Sequence, residues 1–382
     1  GAPPIEDPRI WVVRGRALAA LRRHDESQAC YERALTLAPD DLAIRLAMLP
    51  TAADLDQRAR QLAEMDEFLR SHPEQPEATR RTLAQRHFDL GESLCHAKRD
   101  SDARDAYGRA VELAPAFKEA CEKKGSKSLA LFRYREAIEE FSQVIDLDPK
   151  HASSWCSRGF AYRHLGRVDA ALADNSRAVE LASDVAEHWY HRGVDYAHLG
   201  QHDKAIADFS EAVKIDPMHV WAFSDRGLAH EDLNEFDGAV ADYSKALELA
   251  ADHHATINNL AWLLANCSDP RFRDAGRATE LAKRAVDLAP RDGGFWNTLG
   301  AAHYRAGDWK GAVLALTKAT ELRQGGTLSD WLFLAMAERR LENKEAARRW
   351  YDQATAWIQR NKPLAKDLER FRVEAAELLG GG

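Results

Sequence analysis

Small and large apolar residues recur along this chain at an interval of 34 residues. From Gly91 to Gly227, every thirty-fourth residue is glycine, and this residue can be taken as the eighth place of a 34-residue unit. The twentieth place is then mostly alanine and the twenty-fourth mostly aromatic, as at Ala205 and Phe209. Small residues let two helices approach closely, and larger apolar residues fill the remaining seam. The pattern therefore predicts two packed helices in every unit.

The unit beginning at residue 186 also carries the signals that end one helix and start the next. Gly200 suits the left-handed residue that closes a helix, and Asp203 places a negative charge in the first turn of the following one. Pro217 stops the second helix. Each unit is predicted to be a helix hairpin. Because a single hairpin cannot bury its apolar face, neighbouring units must stack.

These signatures are most complete in the stretch "WYHRGVDYAHLGQHDKAIADFSEAVKIDP", from Trp189 to Pro217. The pattern resembles the tetratricopeptide repeat family. The resemblance implies an all-α fold, an α-solenoid of about ten stacked helix-turn-helix hairpins in a right-handed superhelix. It does not by itself assign a function, because one fold serves many.

The resemblance also divides the chain into segments. We expect an N-terminal segment with the first unit, a degenerate repeat with a long second helix from about Leu55 to Arg70, and five regular units. Three further units follow, the first with the insertion "CSDPRFRDAG", and then a polar-faced capping helix and tail. In order, these segments are 1–41, 42–83, 84–253, 254–361 and 362–382.

The last third of the chain carries a second, softer resemblance. The segments "NNLAWLLANCSDPRFRDAGRATELAKRAVDLAP" and "GFWNTLGAAHYRAGDWKGAV" look like the repeat tails of planctomycete bacterial serine/threonine kinases. This resemblance implies a regulatory or docking tail of a larger signalling protein. The chain itself shows no glycine-rich nucleotide loop and no HRD or DFG motif.

Composition and charge narrow the possible partners. The net charge is −8 and there is no long Lys/Arg run, which argues against nucleic-acid binding. No window is apolar enough for a membrane helix, so membrane insertion is not expected. Five widely spaced cysteines argue against a disulfide framework and fit a reducing, cytoplasmic location. The start "GAPPIEDP", without methionine, and the end "GGG" suggest an excised fragment.

The family resemblance implies that the first helix of each unit lines an inner, concave groove. Side chains at places two, five, six, nine, twelve and thirteen then face this groove. The candidate binding residues at these places are Ser157, Phe160, Arg163, Tyr190, His191, Val194, His198, Trp221, Asp225, Leu228, Asn258, Asn259 and Trp262. Their mixed polar and apolar character suits an extended peptide or a helix.

Tryptophans fall into two classes by their place in the unit. Five lie at place four and are predicted to pack: Trp11, Trp155, Trp189, Trp296 and Trp331. Trp221 and Trp262 are predicted to face the groove, where an exposed aromatic signals a binding site, or alternatively to pack against a neighbouring helix. Asn259 can pair with a peptide backbone through both its donor and its acceptor, or can simply be solvated.

Other groupings predict architecture rather than chemistry. Ser157, His191 and Asp225 share place six of successive units, too far apart for a catalytic triad, since packed helix axes alone are separated by ~8–10 Å. His188 and His191 have no carboxylate or cysteine to complete a metal site. Arginines at place seven and aspartates at place twenty-three are predicted to form ion pairs within a unit. They are Arg158, Arg192 and Arg226 with Asp174, Asp208 and Asp242.

The sequence therefore predicts a non-enzymatic scaffold with no catalytic residue, metal or cofactor, whose partner is another protein or peptide. Three alternatives stay open. The chain can be a homodimerisation module, the regulatory tail of a kinase, or a module that recognises a glycan or small molecule.

Overall fold

A computed structural model describes residues 7–48, 54–361 and 364–380. These residues form helices and contain no strand. They group into two compact units, residues 1–183 and residues 184–382. Within the residues described, no helix is long and apolar enough to cross a lipid bilayer.

The first unit contains ten helices within its described residues. They are α1 (Pro8–Ala20), α2 (His24–Leu37), α3 (Leu42–Met48), α4 (Leu55–Ser71), α5 (Glu77–His96), α6 (Asp100–Leu113), α7 (Lys118–Ala130), α8 (Tyr134–Leu147), α9 (Ala152–His164) and α10 (Val168–Leu181). From α5 onward, each odd-numbered helix packs most extensively on the even-numbered helix that follows it, as the hairpin prediction requires.

The second unit contains eleven α-helices within its described residues. They are α11 (Ala186–His198), α12 (His202–Ile215), α13 (Val220–Asp232), α14 (Phe236–Leu249), α15 (His254–Asn266), α16 (Ala275–Leu288), α17 (Gly293–Arg305), α18 (Trp309–Leu322), α19 (Leu328–Arg340), α20 (Lys344–Arg360) and α21 (Lys366–Gly380). The predicted insertion lies between α15 and α16 and includes a short 3-10 turn, Pro270–Phe272.

The degenerate segment departs from the regular spacing. The long helix expected from about Leu55 to Arg70 is α4, which ends at Ser71. However, α5 begins at Glu77, after Pro76, so the boundary predicted between residues 83 and 84 falls inside a 20-residue helix. Proline fits the position before a helix. The following residues "EATRRTLAQ" are mostly good helix formers, so the helix starts a full turn or more before the predicted boundary.

Close helix contacts depend on the predicted small residues. A Cβ atom added to Gly193 on α11 would lie 2.7 Å from the ring of Phe209 on α12. Ala205, at the twentieth place, is fully buried beside them. The equivalent glycine in the first unit, Gly91, meets the ring of Tyr107 in the same way. The prediction that these places let paired helices approach closely is confirmed.

The turns between paired helices need a left-handed residue. Gly166, Gly200 and Gly307 have φ values of +73°, +70° and +79°. Where glycine is missing, other residues adopt the same conformation, including Phe132 with φ +58°. The sequence signal for the turn is therefore glycine in some units only, whereas the backbone conformation recurs.

Place-four tryptophans pack against the preceding connection, as predicted. The indole nitrogen of Trp155 donates a hydrogen bond to the carbonyl of Pro149 at 3.1 Å. Trp296 makes the same bond to Pro290 at 2.9 Å. Each tryptophan thus fixes the proline that ends the preceding unit.

The predicted ion pairs are also confirmed. Arg226 donates two hydrogen bonds to the carboxylate of Asp242, at 2.8 and 2.6 Å. Arg192 and Asp208 form the same two-bond pair at 2.7 and 2.8 Å. The third pair joins Arg158 to Asp174. Because the aspartates are almost fully buried, these pairs fix how the two helices of a hairpin are oriented.

Candidate functional site

A cavity of about 760 Å³ opens among helices of the second unit. Four of the predicted groove residues line it: Leu228, Asn258, Asn259 and Trp262. They project from α13 and α15, the first helices of two successive hairpins. The starts of α17 and α21 also line it, together with His202 on α12, Asn234 after α13, and Arg323, Thr327 and Ser329 around the turn from α18 to α19.

A smaller cavity of about 280 Å³ continues from this one along the first helices. It is lined by the predicted residues Val194, His198, Asp225 and Leu228. Leu228 borders both cavities, and so do His202 and Asp232. The surface lined by Val194, His198, Leu228, Asn258 and Asn259 is called the open groove below.

Amide side chains contribute to the lining of the larger cavity, among them Asn258, Asn259 and Asn297. The Oδ1 atom of Asn258 is buried and has no hydrogen-bond partner. Asn297, on α17, donates from Nδ2 to the buried carboxylate of Asp330 at 2.6 Å. Arg323 reaches the same carboxylate at 3.2 Å. The buried acid is thus satisfied by the protein, whereas the Oδ1 atom of Asn258 is not.

Carboxylates form one wall of the cavity. Burial raises the pKa of Glu231 to about 7, and nearby Asp232 and Asp367 add to the rise. The hydroxyl of Tyr243 opposes it by donating to Glu231 at 3.0 Å. Burial also raises the pKa of Asp232, although His202 lies 3.4 Å from its carboxylate.

Tyr190 and His191 are held by contacts within the protein. The hydroxyl of Tyr190 donates to Asp225 at 2.9 Å, and its ring centroid lies 4.8 Å from that of His219. His191 lies 3.8 Å from the carboxylate of Glu187. These residues support the groove wall, so changing Tyr190 would disturb packing as well as any ligand contact.

Trp221 lies exposed on α13. Half of its surface, 51%, is accessible, and its ring packs edge-on against His253 at 4.2 Å. On the same helix, Leu228 is 43% exposed. Two large apolar side chains therefore face solvent on the helix that borders both cavities.

Trp262 follows the alternative that the sequence left open, which is packing against a helix. Its ring lies edge-on to Phe371 of α21, with centroids 5.9 Å apart, and to Phe333 of α19 at 6.4 Å. The predicted capping helix α21 thus lies on groove places of the last three hairpins. Trp262 also lines the larger cavity.

The three remaining candidates lie on α9, in the first unit. The ring of Phe160 lies 4.4 Å from that of His164, and the guanidinium of Arg163 lies 5.5 Å from the Phe160 ring. Ser157 is partly buried on the same helix. These residues share one helix face.

The described residues contain no group of three or more His, Cys, Asp or Glu side chains placed to hold a metal ion. His188, one of the two histidines considered for a metal, is 3% exposed. All five cysteines are free thiols, and burial raises the pKa of Cys121 to about 11. Such a thiol stays protonated and unreactive at neutral pH.

Sequence reasoning missed several lining residues. Asn297 and Thr298 occupy groove places five and six of the unit at 293, so the same place rule would have found them. Glu231 and Asp367 give no periodic signal. The groove-facing side of α21 was visible as an apolar stripe, Leu364, Leu368, Phe371, Ala375 and Leu378.

Comparisons with known proteins support the repeat assignment. Models of the tetratricopeptide repeat match residues 8–41, 129–186, 186–219, 222–253 and 271–327, which together exceed half of the chain. Among curated proteins, none matches this sequence.

Three solved structures illustrate the range of similarity. The Cut9–Hcn1 hetero-tetramer of the APC/C is 15% identical, with a TM-score of 0.56, over 96% of this chain and 76% of that one. MamA is 27% identical with a TM-score of 0.41, over 44% of this chain and 92% of that one. YrrB, described as a tetratricopeptide repeat protein with an unusual peptide-binding site, is 23% identical with a TM-score of 0.40, over 46% and 91%. Of these three, the first supports the all-helical solenoid fold.

Proposed function

The chain belongs to the tetratricopeptide repeat family, and from that premise we propose that it is a non-enzymatic scaffold that holds an extended segment of another protein in the open groove. The observation that carries this proposal is the cavity of about 760 Å³ that the predicted groove residues Leu228, Asn258, Asn259 and Trp262 line together. Asparagine side chains carry both donors and acceptors that can pair with a peptide backbone.

Apolar side chains beside the amides support the same ligand. Trp221 and Leu228 are exposed on α13, and Leu228 lines the same cavity as Asn258 and Asn259 on α15. Extended peptides bind through main-chain hydrogen bonds, with alternate side chains entering pockets. A tryptophan at the groove edge can supply an anchor contact, since aromatic residues dominate binding energies at interfaces.

The test is selection of peptides from a displayed random library on the immobilised full-length chain, followed by affinity measurement of the selected peptides. We expect Asn259→Ala and Trp221→Ala to weaken binding, the latter on the order of 30-fold as at an interface hot spot. The matched control is Leu314→Ala on α18, whose side chain is 74% exposed and does not line the groove cavities.

The proposal fails if no peptide is enriched, or if enriched peptides bind the wild-type chain and both groove variants equally. Circular dichroism checks that each variant keeps its helicity. Tyr190 is left unchanged in this experiment because its contacts with Asp225 and His219 make it part of the packing.

Self-association is a second candidate function, favoured by the exposed apolar residues on the first helix. Ile10 and Val13 are 48% and 66% exposed on α1. A homodimer through this helix predicts a mass that falls to that of a monomer in Val13→Glu, measured by light scattering. A monomeric wild-type chain contradicts it.

Two further predictions concern the cellular compartment of the protein and whether it is part of a larger protein. The free thiols of the five cysteines favour a reducing compartment such as the cytoplasm. The role as a tail of a planctomycete bacterial kinase stays a prediction that the complete gene tests.

A further inference from the structure

The C-terminal helix α21 lies on groove places of the second unit. It packs most extensively on α19 and only slightly on α20, the helix that precedes it in the chain. The surface beneath α21 is formed by Trp262, Asn266, Arg305 and Phe333, and is called the covered groove below. Trp262 occupies place nine, Asn266 and Arg305 place thirteen, and Phe333 place six of their units.

Two side chains of α21 make the main contacts. Phe371 is fully buried, with ring centroids 4.9 Å from Phe333 and 5.9 Å from Trp262. Three residues on, Glu374 accepts two hydrogen bonds from Arg305, at 2.6 and 2.8 Å. An aromatic residue and a carboxylate spaced by three lie on one side of a helix, so both reach the same surface.

The opposite side of α21 is not needed for this contact. Val373 is 41% exposed, whereas Ala375 is fully buried. The helix thus lays one amphipathic face into a groove, with anchors at spacings of three and four residues, as helical ligands of other grooves do.

The fit beneath α21 is incomplete. The Nδ2 atom of Asn266 and the Nε atom of Arg370 are both buried without a hydrogen-bond partner. Asn266 as a whole is only 4% exposed. Burial lowers the pKa of Arg370, and the neighbouring Arg305 and Arg273 lower it further. Arg370 donates through another nitrogen to the carbonyl oxygen of Asn266, but the two unpartnered buried donors weaken the contact.

We propose that the covered groove is a helix-binding surface, that α21 is its resident ligand, and that an amphipathic helix of a partner protein with an aromatic residue and a carboxylate three residues later competes with α21 for it. A competitor with an acceptor that reaches the Nδ2 atom of Asn266 pairs a buried donor that α21 leaves without a partner. This surface adjoins the open groove, because Trp262 and the start of α21 also line the larger cavity, but the inference does not rest on the proposed function.

A tethered ligand is a strong competitor. The connection from α20 to α21 is short, and short connections give effective concentrations in the millimolar range. A free helix therefore binds the wild-type chain only weakly, and binding becomes measurable when α21 is loosened from its seat.

The experiment uses the full-length chain and a fluorescein-labelled peptide of residues 364–380 as the probe, with fluorescence anisotropy as the measurement. Phe371→Ala in the chain removes the anchor of the tethered helix. We expect this variant to bind the peptide at least about tenfold more tightly than the wild-type chain does. The matched control is Val373→Ala, on the exposed side of α21, which leaves peptide binding at the wild-type level.

Charge exchange tests that the peptide occupies the seat of α21. Arg305→Glu added to Phe371→Ala abolishes binding of the wild-type peptide, and a peptide with Glu374→Arg restores it. A peptide carrying Phe371→Ala binds none of the chains.

Two outcomes overturn the inference. One is a folded Phe371→Ala chain that binds the peptide no better than the wild-type chain. The other is equal binding of the wild-type and Phe371→Ala peptides. If Phe371→Ala loses helicity by circular dichroism, Glu374→Ala in the chain is used instead, since it removes only the contact to Arg305, and the same two outcomes decide.

Discussion

At the scale of single residues, the glycine at place eight is tied to the ring sixteen residues later. In the unit at 186, these residues are Gly193 and Phe209. The backbone of the alanine at place twenty is also close, because a Cβ on Gly193 would lie 3.3 Å from the carbonyl oxygen of Ala205. A larger side chain at place eight must therefore push apart the two helices of the hairpin, both of which are already closely packed.

The first prediction follows from this contact. Gly193→Ala gains helix propensity but forces the Phe209 ring to move, and we expect a net loss of about 1–2 kcal/mol in the free energy of unfolding. Gly276→Ala is the control, because its Cβ would meet only Asp274, at 3.5 Å. Urea denaturation followed by circular dichroism measures both. A loss in Gly276→Ala as large as that in Gly193→Ala contradicts the packing argument.

A second residue-scale prediction concerns pH. Glu231 has an ordinary pKa of 4.5 and a pKa of about 7 in the folded chain. The folded state therefore binds the proton more tightly than the unfolded state. The stability that protonated Glu231 gives the folded state is fully present below about pH 4.5 and is lost as the pH rises through 7.

Glu231→Gln removes this titration while keeping an acceptor for Tyr243. We expect the variant to match the wild-type chain at pH 4.5 and to exceed it at pH 8, by at most about 3 kcal/mol. Melting temperatures of both chains across this range measure the difference. A gap that does not change with pH would show that folding does not raise the pKa of Glu231.

At the scale of helices and hairpins, the Arg–Asp pairs determine how two helices of a unit meet. Arg226 and Asp242 have side chains that are 18% and 8% exposed. Arg226 also donates to Ser210 on the preceding hairpin at 3.1 Å, so one guanidinium links two units. Such a pair specifies geometry more than it adds stability.

The third prediction separates these two effects. Asp242→Ala leaves a mostly buried guanidinium without its carboxylate, and we expect a loss of about 3 kcal/mol in the free energy of unfolding. Replacing both partners, as in Arg226→Met with Asp242→Leu, costs less than the single change because no charge is stranded. Chemical denaturation of the three chains measures this. A double variant that is less stable than Asp242→Ala would mean that the pair contributes net stability.

The same scale shows how far sequence reasoning reaches. The hairpins, their tight contacts and the Arg–Asp pairs could be predicted because each repeats with period 34, and repetition makes a weak local signal visible. The seat of α21 could not, because a single helix at the end of an array has no periodic equivalent. Its apolar stripe shows that it packs, but the choice of α19 over α20 depends on tertiary contacts such as that of Phe371 with Phe333, and Arg370 reaches back along the chain to the carbonyl of Asn266.

The residues of the candidate site also divide into those that the sequence predicts and those that only the structure shows. Leu228, Asn258 and Asn259 were found by their places in the unit. Glu231 and Asp367 were not, because their role depends on burial and on one another's charge. Trp262 lies at a groove place, yet α21 covers most of it. The place of a residue in the 34-residue unit predicts which way its side chain points. Only the tertiary structure shows which other side chains it contacts.

At the scale of the whole molecule, stability is distributed unevenly. Repeat proteins sum local terms from each repeat and its neighbours, so different parts can open separately. In the second unit, one large cluster of buried residues extends from α14 to α18 and another from α17 to α21. In the first unit, the cluster around α8 contains three buried residues, Ala137, Phe141 and Ala161.

The fourth prediction follows from this contrast. Because local opening free energy rises with buried apolar contact, we expect the backbone amides of α15 to α19 to exchange hydrogen more slowly than those of α7 to α9. Hydrogen exchange followed by mass spectrometry under native conditions measures both sets of peptides in one sample. Phe371→Ala should speed exchange in α19, which lies under the C-terminal helix, and leave α7 to α9 of the first unit unchanged. Equal exchange in the two regions would mean that the chain opens as one cooperative body, and then the loosening of α21 could not be confined to the covered groove.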